Sequence, residues 1–479
     1  MKRFPVLVIV TLLVAILQPI HAGWTRTYGT NPASEAGYCV HQTNDGGYII
    51  VGNTDSFNDR NPDLWLLKTD SLGDTLWTHT YGGKEGELGR SVQQTKDGGY
   101  IISGWTSSYT EDGTAVWMIK TDSNGDTLWS LVYTEGGGNE GHWVEQTKDG
   151  GYIVTGFVGY RYALRGANLL LLKINAQGDT AWVRTYGGEK QEEGHYVQQT
   201  IDGGFIVTGY TRSFSSGSRD LWLLKTNSLG DTLWTKIYGG EEMEEGYCVR
   251  QTSDGGYIVT GTNYTLAPPW GHAWLLKTDS AGDTLWTRTY GGEITPDWGF
   301  SLQQTNDGGY IIAGETESFG AGGGDVWLLK LAEDGDVIWS RTYGGENLDL
   351  AYSVQQTKDG GFILTGLTYS FAPGTYNYDL WMIKTDANGD TLAIADQPFT
   401  SSASFLEVLP IGRRIVMRYE DMPDGFHASV FDATGRKVDE VHATESSGMI
   451  TWGKCYGPGV YFIVPSEGKA SVQKVVLIK

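Results

Sequence analysis

A chain of 479 residues is long enough for two or three ordinary domains and can bury a large core. Its 68 Gly and 13 Pro stay below the share that marks disorder, roughly 25 to 30 per cent, and 18 Trp in a composition 12% aromatic suit many short strands joined by tight turns. A formal charge of −22 without any cluster of Lys and Arg argues against nucleic acid as a partner and is compatible with cations.

Residues 1 to 22 carry Lys2 and Arg3, an apolar run from Val6 to Leu17, and Ala22 at a cleavage position. This is the pattern of a secretory signal peptide. The alternative is a membrane anchor, but the run is shorter than the roughly 20 residues that cross a bilayer. No later segment reads as a span, so the mature chain is expected to be secreted or held at the outer cell surface. Cys39, Cys248 and Cys455 are too few, and too odd in number, for a disulfide framework. Cys39 and Cys248 fall at the same place in two repeats and read as packing thiols.

The tripeptide DGG recurs at Asp45, Asp97, Asp149, Asp202, Asp254, Asp307 and Asp359, always 52 or 53 residues apart. Such a period is the signature of a repeat architecture. Within the fourth copy four extended runs follow one another, HYVQQT, GFIVTGY, DLWLLKT and DTLWTKIY, divided by tight turns at Gly203 and Gly230. One four-stranded meander cannot cover both its apolar faces, so Ile206, Trp222, Leu224 and Trp234 require neighbouring copies on either side. Trp recurs on the fourth strand at Trp77, Trp129, Trp182, Trp234, Trp286 and Trp339, but the seventh copy has Ala393 there. The missing strand stands at the other end of the chain, in GWTRTYG: residues 24 to 28, with Trp24, are expected to complete the last unit beside 379 to 385. The pattern predicts an all-β chain, a seven-bladed β-propeller of four-stranded blades over 23–397. A parallel solenoid is the alternative and leaves Trp24 unexplained. The strand order and ring closure resemble those of WD-repeat propellers. The turn TDSNGDT from Thr121 is similar to the Asp-box of sialidase-type propellers, with Asp122 one place further from Gly125 and Trp129 one place further on.

Positions that recur in every copy read as scaffold; departures read as drift or use. Recurring Lys on the third strand (Lys225 in copy four) and Asp after the turn glycine (Asp231) read as ion pairs or turn caps. No cofactor is expected. Calcium at TDSNGDT is an alternative to an Asx-capped hairpin, although an EF-hand pattern is missing. At the start of the first strand stand Glu35, Glu87, Glu192, Glu244, Asp297 and Asp349, with Asn139 as the exception. They form either a carboxylate ring around a channel mouth, fit for a cation or basic peptide, or a set of caps, each for its own loop. The loops between second and third strands vary most, and their repeated aromatic (Phe57, Tyr109, Phe214, Phe319, Phe371) reads as a loop anchor. Unrepeated Trp105, Tyr160, Arg161, Tyr162, Arg165, Trp270 and Trp298 are the binding candidates, because flat aromatics beside polar groups suit sugar rings and extended peptides. No HExxH, GxSxG, phosphate loop or paired Cys motif occurs, and His41, His79, His142, His195 and His272 are scattered over the repeats.

After about residue 397 the repeat stops, and SFLEVLPIGRRIVMRY, HASVFDATGRKVDEV, MITWG, GPGVYFIVPS and SVQKVVLIK read as strands of a small Ig-like β-sandwich over 398–479. VFDATGRKV (Val430 to Val438), GPGVYFI (Gly457 to Ile463) and Gln473 to Lys479 resemble the C-terminal sorting domain of the type IX secretion system. That resemblance implies export across an outer membrane and the type IX machinery as a partner; an ordinary accessory sandwich is the alternative. The expected function is recognition of carbohydrate or an extracellular protein through the variable-loop face. Two alternatives stay open, a polysaccharide-degrading enzyme with a carboxylate pair at the channel mouth and a structural surface or adhesion component.

Overall fold

A computed structural model describes residues 23–29, 33–55, 61–111, 113–159, 166–266, 270–292, 295–372, 377–391, 405–411, 414–420, 426–432, 436–444, 448–452, 459–465 and 473–477. The proposed signal peptide at 1–22, and Phe57, Tyr160, Arg161, Tyr162 and Arg165, lie outside the described residues. The described elements are all strands, and the chain divides into two compact units, Met1–Ala393 and Ile394–Lys479.

The first unit contains seven four-stranded antiparallel sheets. Six of them are consecutive in sequence, spanning 35–81, 87–133, 139–186, 192–238, 244–290 and 297–343. In the seventh, Asp349–Gln356, Phe362–Thr368 and Asp379–Thr385 are joined by Trp24–Tyr28, which pairs antiparallel with Asp379–Thr385 from Trp24↔Lys384 to Tyr28↔Leu380. The first strands touch one another in order, Glu35–Gln42, Glu87–Gln94, Asn139–Gln146, Glu192–Gln199, Glu244–Gln251, Asp297–Gln304 and Asp349–Gln356, and the last touches the first again. The sheets therefore close a ring with the first strands innermost, as the blades of a β-propeller do.

Side-chain alternation explains the stacking, since neighbours along a strand point to opposite faces. Trp222 and Leu224 pack with Leu169, Leu171 and Trp182 of the preceding sheet, while Leu221 and Leu223 pack with Tyr257, Val259 and Trp274 of the following one. Each fourth-strand Trp meets an aromatic of the next sheet edge-on, as in Trp182–Phe205 at 6.0 Å and Trp234–Tyr257 at 5.8 Å. Trp24 and Tyr48 repeat that contact at 5.8 Å across the closing seam. Polar contacts recur with the same period: Tyr28, Tyr81, Tyr186, Tyr238, Tyr290 and Tyr343 each donate a hydroxyl to the turn-glycine carbonyl of the next sheet. The eighth residue of each first strand is Gln, and six of the seven reach the neighbouring turn; Gln94 Oε1 accepts from Asn44 N at 2.8 Å, and Gln42 Oε1 accepts from Lys358 N at 2.9 Å across the seam. Gly203 has φ of 85° in the DGG turn, a left-handed conformation that glycine adopts without penalty.

The second unit is two antiparallel sheets. One holds Phe405–Ile411, Arg414–Glu420 and Gly448–Trp452; the other holds Lys437–Ala443, Phe426–Asp432, Gly459–Pro465 and Gln473–Leu477. Phe426, Val430, Val441, Tyr461 and Ile463 of the second sheet share a core with Trp452 of the first.

Candidate functional site

The acids expected around a channel mouth are placed otherwise. Glu35, Glu87, Glu192, Glu244, Asp297 and Asp349 are at most 1% exposed, each at the first position of its strand and turned into its own loops. Glu192 accepts from Gly188 N at 2.9 Å, Ser213 N at 2.9 Å and Thr211 Oγ1 at 3.1 Å; Glu87 accepts from Gly83 N, Ser108 N and Thr106 Oγ1 in the same way. Glu244, Asp297 and Asp349 likewise hold Gly240 N, Gly292 N and Gly345 N, and Glu35 takes Thr54 Oγ1. Buried loop amides need acceptors, and these carboxylates supply them. They are turned to their own loops as caps and do not form an open carboxylate ring.

The aromatic candidates do not converge. Trp105 is half-buried on a second strand between Leu88 and Val116. Trp270 is 45% exposed in the fifth repeat. Trp298 is half-buried on the sixth first strand, opposite Glu315. Trp270 and Trp298 flank one backbone bond, Asp297 N to Gly271 O at 2.9 Å, whereas Trp105 lies in the second sheet. Tyr109, Phe214, Phe319 and Phe371 anchor their loops on third-strand Trp residues at 5.2 to 6.0 Å. In the TDSNGDT turn Asp122 Oδ1 accepts from Asn124 N at 2.8 Å and Asp126 N at 3.0 Å, an Asx cap.

What converges is a position the repeat conceals. Every first strand carries a bulge after its third residue, where the register steps from Gly37 to Cys39, Gly89 to Ser91, Gly141 to Trp143, Gly194 to Tyr196, Gly246 to Cys248, Gly299 to Ser301 and Ala351 to Ser353. A bulge re-aims the skipped side chain. Glycine before it permits close sheet packing; a Cβ on Gly194 would clash with Thr155 Oγ1 of the preceding sheet. The skipped residues are Tyr38, Arg90, His142, His195, Tyr247, Phe300 and Tyr352, and together they line a cavity of about 300 Å³ at the axis of the ring.

These seven side chains form a belt. Centroid distances are 5.0 Å from Arg90 to Tyr38, 4.9 Å from Tyr38 to Tyr352, 5.8 Å to Phe300, 5.3 Å to Tyr247, 5.5 Å to His195 and 5.5 Å to His142. Glu140 closes it, with Oε2 3.5 Å from His142 Nε2 and 3.9 Å from Arg90 Nη2. One half is aromatic, while the other holds Arg90, His142 and His195 with Glu140, Glu193 and Glu245. Arg219, just before the strand Asp220–Thr226, reaches in to 2.8 Å from Glu245 and lies over the Tyr210 ring. Burial lowers the His142 pKa below the ordinary imidazole value, with Glu140 opposing, and burial raises the Tyr247 hydroxyl well above its usual range.

Deeper along the strands Trp143 stacks on Tyr196 at 4.1 Å, and Arg250 lies over Tyr196 at 4.7 Å. Trp143, Ser301 and Ser353 line both this cavity and a second one of about 270 Å³, so they form the partition between them. Beside the second cavity burial raises the Glu145 pKa to about 7, with Arg250 opposing the shift. The thiols of Cys39 and Cys248 are free and buried, facing the Val92 and Leu302 carbonyls, and burial raises the Cys39 pKa to about 11. His142 and His195 read as scattered in sequence because they are a repeat apart. The signal that could have found them is the column they share, where His, Arg, Tyr and Phe replace one another while the residue before stays small.

No family model and no curated protein matches the chain. Among solved structures it is similar to Sqt1 from Chaetomium thermophilum, at 12% identity and a TM-score of 0.44, over 83% of this chain and 97% of that one. It is also similar to PorZ, an essential bacterial surface component of the type IX secretion system of Porphyromonas gingivalis, at 11% identity and 0.43, over 91% of this chain and 58% of PorZ. A puromycin hydrolase matches at 14% and 0.49, over 80% and 58%.

Proposed function

We propose that the chain is a secreted or cell-surface recognition protein, a seven-bladed β-propeller that binds carbohydrate at the axial belt. The belt carries this reading. Aromatic faces of Tyr38, Tyr247, Phe300 and Tyr352 suit the CH faces of a sugar ring, and the Arg90, His142, His195 and glutamate half supplies fixed hydrogen-bonding partners for hydroxyls. A cavity of about 300 Å³ suits one or two sugar units at a chain end. The first-strand starts lead into the belt from the variable-loop side, which keeps that face as the approach.

The second unit supports the secretion reading through sequence. VFDATGRKV spans the hairpin of Phe426–Asp432 and Lys437–Ala443, and GPGVYFI runs into Gly459–Pro465. Seven strands split three and four over two sheets with a shared core fit an Ig-like sandwich. The type IX machinery is the partner this tail is proposed to meet.

A glycan array probed with the full chain, followed by titration of hits into Tyr247→Ala and Tyr352→Ala, tests the binding reading. Wild-type binding that falls about tenfold or more in both variants supports it. Binding unchanged in both moves the site to Trp270 and Trp298, and no glycan binding leaves an extracellular protein partner or a structural role.

A further inference from the structure

We propose that His142, Glu193 and His195 hold a divalent transition-metal ion of the zinc class at the polar half of the belt, with Glu140 or Glu245 as the fourth donor. The donor atoms of the first three lie within 4.8 Å of one another. They come from adjacent repeats at the bulge position and the residue two before it, so the packing of neighbouring first strands brings them together.

Three features of the geometry fit an ion. First, both imidazoles are oriented for ligation. His142 Nδ1 lies 3.1 Å from Gly194 O, and His195 Nδ1 lies 3.1 Å from Gly246 O. A carbonyl only accepts, so Nδ1 carries the proton and Nε2 presents its lone pair, the arrangement that backbone carbonyls impose on metal-binding histidines. Second, the Nε2 atoms face carboxylate oxygens at 3.5 Å (His142 to Glu140), 3.7 Å (His195 to Glu193) and 3.6 Å (His195 to Glu245). These exceed a charge-assisted hydrogen bond, about 2.7 to 2.9 Å. They approach the separation of two ligands on one tetrahedral ion, about 3.4 Å when each bond is about 2.1 Å.

Third, the carboxylates are themselves steered. Gln191 Nε2 donates to Glu193 Oε1 at 2.8 Å while Oε2 is the oxygen nearest His195, and Arg219 holds Glu245 Oε2 at 2.8 Å while Oε1 faces His195. Such outer partners fix ligating carboxylates. Glu193 and Glu245 are buried, and His142 and His195 are nearly so, which limits competition from water. Imidazole with carboxylate suits zinc, cobalt, nickel or iron(II) and not calcium, which takes six to eight oxygens. The ligands are the side chains that the sugar reading gives to hydroxyls, but the proposal rests on their own geometry and not on that reading.

The test is calorimetric titration of the chelator-treated full chain with zinc alone, with cobalt(II) absorption as the coordination probe. One zinc per chain is expected, together with visible cobalt bands and a zinc-dependent rise in Tm. Affinity should fall more than about 100-fold in His142→Ala and in His195→Ala, and about 10- to 100-fold in Gln191→Ala, whose amide only orients Glu193. Should a histidine variant fail to fold, as judged by its apo melting curve, Glu193→Gln replaces it with the same expected loss. Absence of zinc binding to the folded wild type, or binding unchanged in the folded variants, overturns the proposal. Neither result bears on sugar binding, which is read without zinc by the array.

Discussion

Tyr238 and Tyr133 end the fourth strands of two repeats and act differently. The Tyr238 hydroxyl crosses to Gly282 O of the next sheet, whereas Tyr133 donates to Glu135 two residues on, at 2.7 Å. Tyr238→Phe should therefore cost about 1 kcal/mol in chemical denaturation, the net worth of one hydrogen bond, and Tyr133→Phe should stay within about 0.5 kcal/mol. Equal losses would show that the hydroxyls do not latch neighbouring sheets. Glu192 is a stronger case, since its carboxylate satisfies two loop amides and a threonine hydroxyl. Glu192→Ala should cost about 1 to 3 kcal/mol through stranded buried donors; a variant as stable as wild type would return the residue to the list of functional acids.

The strand Trp24–Tyr28 decides whether the ring is closed. It covers the edge of Asp379–Thr385, sets Trp24 against Tyr48, and packs with Val40, Ile50, Leu380 and Met382. Trp24→Ala should cost about 3 kcal/mol, the low end for aromatic truncation because Trp24 is only half-buried. Deleting residues 24 to 28 should additionally open a sheet edge and cause self-association, measured by light scattering. A monomeric deletion variant with wild-type stability would mean that closure does not depend on this strand.

Seven Lys–Asp pairs tie the DGG turns to the third strands around the whole first unit, from Lys68–Asp45 at 3.0 Å to Lys384–Asp359 at 2.9 Å. Desolvation raises each of these carboxyl pKa values, and hydrogen bonds from Thr, Lys and a glycine amide more than offset it. Asp149, Asp202 and Asp254 are thereby held at about 2. A folded pKa below the unfolded one, about 3.9, means stability that is complete above pH 4 and lost as pH falls toward 2. Melting temperature should drop steeply between pH 4 and pH 2, and less steeply in Asp202→Asn. A flat profile over that window would show that the pairs add nothing net, as exposed pairs often do.

Sequence alone determined the repeat, its four strands, the turns at Gly203 and Gly230, and the strand at Trp24 that completes the last sheet. These depend on local φ, alternation and a period that needs no long-range information. It was ambiguous for Glu87 and its equivalents, because a recurring acid reads alike as ligand or as cap until its loop amides are placed around it. Only the tertiary structure decided the belt. His142, His195, Arg90 and Tyr352 are far apart in the chain and belong to unlike residue types, and a bulge in each first strand, invisible to an alternation pattern, turns them to one axis.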